Sequence, residues 1–193
     1  MIYKKTWKYI LTYDFGSYYR PKALKDFSDV KKGDLGGYVK GYHNLSQSGN
    51  CWVYSRAIIA DDAIVKDNAK VRNGALIYGE AQIYGNAVIL NKVTVSKYAR
   101  IYEDAVVSGN AIISEKSKVF GKACVSGNAT VYGNSQIYDS ANVYGHSQIS
   151  GNSVIYEKAN VFEYATVSGN AQVCGTAKIS GNVVITEFTS IKG

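Results

Sequence analysis

Ala123-Cys124-Val125-Ser126-Gly127-Asn128, Ala129-Thr130-Val131-Tyr132-Gly133-Asn134, Ser135-Gln136-Ile137-Tyr138-Asp139-Ser140: these three consecutive hexads carry the pattern that decides the fold. Each opens on a small residue, places Val or Ile two positions later, and ends in turn-forming polar residues. Followed outward in both directions, the same register runs from Cys51 to Ile191 without an insertion or deletion. The small position, taken by sixes from 51 to 189, holds 16 Ala, 4 Ser, 2 Val, one Thr and one Cys. The position two residues on holds Val or Ile in 24 of 24 hexads.

Residues i and i+2 of a strand point to the same side, so each hexad is a very short strand with one small and one branched side chain facing inward. The period excludes an amphipathic helix, which needs recurrence near 3.6, and Val, Ile and Tyr favour strands. Gly and Asn after the aliphatic position accept the positive φ of a sharp corner. A fixed six-residue period is the mark of a parallel β-helix, in which three hexads close one triangular coil and coils stack in register. The 24 hexads give about eight coils of 18 residues, a prism roughly 38 Å long at ~4.8 Å per coil.

The run resembles the hexapeptide-repeat, left-handed parallel β-helix superfamily, in which an aliphatic residue is followed four positions later by a small one. More narrowly, Ala23-Leu24-Lys25-Asp26-Phe27, Val30-Lys31-Lys32-Gly33-Asp34-Leu35-Gly36-Gly37-Tyr38, Asn44-Leu45-Ser46-Gln47 and Gly49-Asn50-Cys51-Trp52-Val53-Tyr54 are similar to the opening of a family of solenoid proteins common in phages, prophages and bacteria. The resemblance covers the chain from about residue 20 onward. It implies an all-β, single-stranded, left-handed coil, and the distribution of the family implies a phage-encoded inhibitor of a host process. It attaches no activity.

Residues 1–44 are expected to form a small β-rich cap and 45–193 the solenoid. A coil end exposes strand edge and apolar interior that some atypical element must cover. Trp7, Tyr9, Leu11, Tyr13 and Phe15 alternate as in a strand, and Leu24 and Phe27 add apolar cover. Gln47 stands where an inward aliphatic is due, which places the start of the regular interior at Cys51. The formal charge of +7 is concentrated in residues 1–50, with nine Lys or Arg against four Asp or Glu, while residues 51–193 carry thirteen against eleven. That cap offers a nucleic-acid surface as a second alternative, although no run of five like charges supports it. Cys51, Cys124 and Cys174 form no CxxC pair; the register turns the first inward and the others outward, so neither a disulfide framework nor a metal site is expected. The start Met1-Ile2-Tyr3-Lys4-Lys5 leads into mixed residues, and no apolar run approaches 18 residues, which points to the cytoplasm and away from membranes.

Many solenoids of the resembled superfamily are acyltransferases, so a hexapeptide-repeat acyltransferase with a site shared between subunits is the first alternative. Those enzymes use a His base, loops that interrupt the coils and a C-terminal segment beside the acyl donor. Here only His43, in the cap, and His146, in a corner slot filled elsewhere by Asn, are present, and no loop interrupts the hexads. No catalytic residue, cofactor or metal ligand is assigned on this basis. Asp61, Asp62 and Asp67 sit at corners without the Gly-rich nonapeptide of calcium-binding β-rolls.

Outward residues eighteen apart share a column, and the columns differ. One reads Lys66, Tyr84, Tyr102, Phe120, Tyr138, Tyr156, Cys174; beside it runs Ile64, Gln82, Arg100, Lys118, Gln136, Val154, Gln172. Five aromatics in five successive coils either stabilise the stack through cross-strand pairs or serve recognition. The expectation is a non-enzymatic scaffold that presents Tyr84, Tyr102, Phe120, Tyr138, Tyr156, Arg100 and Lys118 to a protein partner or to a second copy in a homo-oligomer. Stacking of bases or sugars on the rings is a weaker form of the same idea, because the flanking charge is too sparse for phosphate-driven binding.

Overall fold

The computed structural model describes residues 7–193; Met1 to Thr6 of the expected cap, and the side chains of Asp14 and Phe15, lie outside what it describes. The described residues are all-β, a parallel solenoid of about nine turns. Its two-residue strands coincide with the second and third residues of the hexads, as at Arg100–Ile101, Lys118–Val119 and Gln136–Ile137. Each pairs in parallel with the strand eighteen residues away, Arg100 opposite Lys118 and Ile101 opposite Val119. Three sheets result, one for each side of the coil. Backbone hydrogen bonds run along the stack, for example from Arg100 N to Ser117 O at 3.0 Å and from Tyr102 N to Val119 O at 3.0 Å.

The interior is filled as the pattern requires. Every Val or Ile at the branched position from Val53 to Val173 is fully buried, as is every small residue from Cys51 to Ala171. Ser replaces Ala at 117, 135, 147 and 153 without leaving a polar group stranded. Ser117 Oγ donates to Ser114 O at 2.7 Å and Ser153 Oγ to Ser150 O at 2.7 Å, so each hydroxyl closes its own corner.

The corners explain the polar residues. The second residue after each inward aliphatic adopts positive φ through most of the stack, whether it is Gly127 (70°), Gly133 (74°), Glu103 (57°) or Asp139 (55°). Where it is acidic, the carboxylate accepts the backbone N–H of the next turn. Glu103 Oε2 takes Gly121 N at 2.9 Å, Glu115 Oε2 takes Gly133 N at 2.9 Å, and Asp61 and Asp67 do the same for Gly79 and Gly85. One residue further on, Asn side chains hydrogen-bond from rung to rung, as in Asn134 to Asn152 to Asn170. These positive-φ acids are thus spent on the backbone; among the described residues no group of His, Cys, Asp and Glu is arranged to hold a metal.

At the N-terminal end an antiparallel hairpin, β1 (Tyr9–Phe15) and β2 (Tyr18–Ala23), extends the first sheet through β3 (Tyr38–Val39). The parallel stack begins here, two strand positions earlier than the placement at Cys51. Tyr38 pairs with Ile58 and Leu45 with Val65, both at a separation of twenty. Val39 and Leu45, fully buried, take the inward aliphatic positions. The physical reason is two extra residues accommodated at the corner after Leu45. Gln47 lies in that corner, where its amide receives Lys8 N at 2.9 Å and donates to Tyr9 O at 3.0 Å, fastening β1 over the open coil.

Lys8 plugs the end of the interior. Its side chain is 1% exposed, and Nζ donates to Cys51 O at 3.0 Å, to Cys51 Sγ at 3.2 Å and, at 3.4 Å, to Ser48 O and Gly49 O. Burial pushes the ammonium below its ordinary range and the Cys51 thiol above its own. A second clasp is Asp29, which receives Lys70 Nζ and Arg72 Nη2 at 2.7 Å each and the Tyr54 hydroxyl at 2.6 Å. It ties the loop after β2 to the first turns of the coil.

Candidate functional site

The third sheet, from Ile64–Val65 to Ser190–Lys192, carries the candidate residues. Its strands bear Arg100 and Lys118 on the outer surface, and the residue after each strand supplies the aromatic column. Because a rung repeats every ~4.8 Å, one ring per rung brings neighbours to van der Waals distance. Tyr84, Tyr102, Phe120, Tyr138 and Tyr156 stack in series, with centroids 4.9, 4.9, 4.9 and 5.3 Å apart and interplanar angles of 2°, 2°, 13° and 11°. Centroid spacings of this size between near-parallel rings are those of offset stacking.

This geometry decides between two uses of the rings. Tyr102, Phe120 and Tyr138 have both faces covered by neighbours, which leaves no open face on them for a base or a sugar. Lys66 Nζ closes the upstream end, 4.9 Å over Tyr84. The column is half-buried, and it shows the outside a strip of ring edges and hydroxyls. Burial raises the hydroxyl pKa of Tyr84, Tyr102 and Tyr138, so these groups are neutral donors at physiological pH. At the downstream end, the Cys174 thiol pushes the Tyr156 hydroxyl up to about 12. Cys174 faces out of the coil as the register requires, yet it is buried, because the strand there is extended and pairs with Ser190–Lys192 as far as Lys192.

On the other side of the Arg100 column lies a concavity of about 370 Å³, lined by Tyr98, Arg100, Lys116, Lys118, Asn134 and Gln136. Arg100 and Lys118 were legible as a column. Tyr98, Lys116 and Asn134 form the neighbouring corner column, which the sequence reading did not sort; the same step of eighteen finds it. Tyr98 is 52% exposed. Lys97, at the adjacent corner, is paired with Glu115 at 3.1 Å. Arg100, Lys116 and Lys118 have no carboxylate partner among the described residues.

The remaining candidates are placed elsewhere. His146 stacks on Tyr164 at 5.0 Å and stands 3.4 Å from Asn128 Nδ2; no carboxylate pairs with it among the described residues. His43 Nε2 faces Asp61 O at 2.9 Å. Four of the cap's described cations are engaged within the fold: Lys8 is buried, Arg20 Nε donates to Gly36 O at 2.9 Å, Lys31 pairs with Asp26 at 3.1 Å, and Lys40 Nζ bonds Ser17 and lies 4.1 Å over the Tyr18 ring. Among the described residues no helix is long and apolar enough to cross a membrane.

Comparison with known proteins agrees with this architecture. Over 38 residues the chain is 45% identical to the protein named "Uncharacterized acetyltransferase YdcK" of Escherichia coli (strain K12), a stretch that covers 20% of this chain and only 12% of that protein. Residues 81–97, 99–115 and 123–139 match a family model described as the YdcK beta solenoid repeat. The matched segments hold Tyr84, Tyr102, Tyr138 and Arg100, whereas Tyr98, Lys116 and Lys118 fall between them, so the likeness extends to the repeating coil and not to the full set of residues lining the concavity.

Proposed function

We propose that this chain is a non-enzymatic β-solenoid scaffold that binds a protein partner, or a second copy of itself, through the outer surface of its third sheet. The observation that carries this reading is the juxtaposition of the half-buried aromatic column with three cations that meet no carboxylate among the described residues. Aromatic edges, Arg side chains and flat rigid surfaces are what protein interfaces use, and a few central aromatics dominate such contacts. The finer form, a phage-encoded inhibitor of a host process acting in the cytoplasm, belongs to the same proposal.

The test is Tyr102→Ser combined with Tyr138→Ser, compared with the parent chain by sedimentation velocity over a range of concentrations and by cross-linking mass spectrometry in native cells. Loss of self-association, or of a cross-linked partner, with the coil still folded supports the proposal. A variant that keeps all assembly and cross-links overturns the role of the column.

The name of the E. coli relative favours a second reading, an acyltransferase with a site shared between subunits. Saturable binding of acetyl-coenzyme A by calorimetry, abolished by substitution of one surface cluster, would establish it. Nucleic-acid binding through the cap is the weaker alternative, since Lys8, Arg20, Lys31 and Lys40 are engaged within the fold.

A further inference from the structure

We propose that the concavity lined by Tyr98, Arg100, Lys116, Lys118, Asn134 and Gln136 is a recognition site for a short acidic segment of a protein, held in extended conformation along the solenoid axis. This rests on the scaffold reading and names the chemistry of the partner.

The first support is the clustering of three cations in one concavity. Like charges set opposite each other on neighbouring strands repel. Where Lys70 and Arg72 lie two residues apart in one rung, Asp29 bridges them, and the single Lys97 has Glu115 opposite it. Arg100 and Lys118 are direct strand partners, and Lys116 lies two residues from Lys118, yet no described carboxylate reaches any of the three. An anion brought by another molecule would supply what the chain omits.

The second support is the extent of the positive patch. Along the Arg100 column it is bounded by Gln82 and Gln136, and along the Tyr98 column by Glu80 and Asn134. From Tyr98 and Arg100 to Asn134 and Gln136 is two rungs, roughly 10 Å, the reach of about three residues of extended chain. Such a segment places alternate carboxylates toward Arg100, Lys116 and Lys118, its backbone amides toward Asn134 and Gln136, and an apolar stem against Tyr98. A nucleic-acid strand following the same axis leaves the cations after two rungs and meets Glu80. A small phosphate ligand is served poorly by so open a site, since small-molecule sites enclose most of their ligand.

Fluorescence anisotropy with labelled octa-glutamate tests the proposal, with inorganic tripolyphosphate and a labelled thymidine octanucleotide as competing probes. The parent chain is expected to bind octa-glutamate in a salt-sensitive manner. Arg100→Gln with Lys118→Gln should weaken binding at least tenfold with an unchanged melting curve, while Lys92→Gln with Lys178→Gln, one at a distant corner and one on another sheet, should change it less than twofold. Absence of peptide binding, equal binding by the groove variant, or tighter binding of tripolyphosphate or the oligonucleotide through the same residues would each overturn it. If peptide binding fails while Tyr102→Ser with Tyr138→Ser still abolishes assembly, the groove assignment falls and the scaffold reading stands; the reverse outcome separates them the other way.

Discussion

Val131→Asp should disable the middle of the solenoid, and it should do so in a pH-dependent way. Val131 is fully buried, with Ile113 and Ile149 as its neighbours in the stack above and below. Removing its buried surface forfeits about 1.5–3 kcal/mol. A carboxyl group without hydrogen-bond partners in that dry interior costs about 1–3 kcal/mol more even when protonated. Ionisation adds the larger penalty. The native state must keep the proton while the unfolded chain releases it above about pH 4, so between that point and the raised native pKa stability falls by about 1.4 kcal/mol per pH unit. Three units, from pH 4 to 7, amount to about 4 kcal/mol. The total approaches the whole stability of an ordinary domain. Denaturant melts at pH 4.5 and 7.5 measure the effect, with Asn134→Asp as control. That corner substitution costs at most one exposed side-chain hydrogen bond to Asn152, about 1 kcal/mol or less. Equal melts for the two variants at pH 7.5, or a Val131→Asp protein more stable at high pH than at low, would refute the assignment of inward and outward positions.

Three further outcomes are expected. Tyr102→Ser with Tyr138→Ser breaks all four stacking contacts of the column and should lower stability by about 1–2 kcal/mol in thermal melts, a cost the stacked geometry imposes whether or not the surface binds anything. Lys8→Ala leaves the carbonyls of Ser48, Gly49 and Cys51 without their shared donor and should destabilise the N-terminal turns by about 2–3 kcal/mol, visible as faster hydrogen exchange in residues 45–53. Partial burial works to raise the Asp29 carboxyl, but hydrogen bonds from Lys70 and Tyr54 outweigh it and hold the group well below the usual carboxylate range. Its contribution is present above the unfolded pKa of about 4 and is lost as pH falls toward the depressed native value; acid should loosen the loop after β2 early, and Asp29→Asn should remove that acid sensitivity in exchange measurements.

The coil was legible because one constraint repeats. A two-position inward code, renewed every six residues, admits one architecture, and the step of eighteen that follows from three sides aligns Arg100 with Lys118 and stacks Tyr102 on Phe120. The start of the stack was obscured by two residues: the pairing of Val39 and Leu45 at a separation of twenty breaks the arithmetic, and Gln47 masks the change because it serves β1 instead of the interior. The columns announced which aromatics are neighbours but not how they meet. Near-parallel stacking, which turns an apparent apolar stripe into a strip of edges, depends on side-chain torsions that periodicity does not encode. The groove needed a second column, since Tyr98 and Lys116 sit at a corner whose other members are Asp62, Glu80, Asn134, Asn152, Asn170 and Phe188, and the unpaired cations become visible only when the ion pairs have been placed.

The extra pair of residues after Leu45 has a consequence for how such a chain can change in length. A whole hexad inserted within the stack would turn everything downstream by a third of a revolution, carrying the lower half of the aromatic column onto a different side of the prism and severing it from the upper half. One or two residues absorbed as a bulge at a corner leave the phase of every later strand untouched, as the junction after Leu45 does. Length can therefore vary freely at the corners in ones and twos, or in complete eighteens, while a gain or loss of six preserves the core and scrambles the surface.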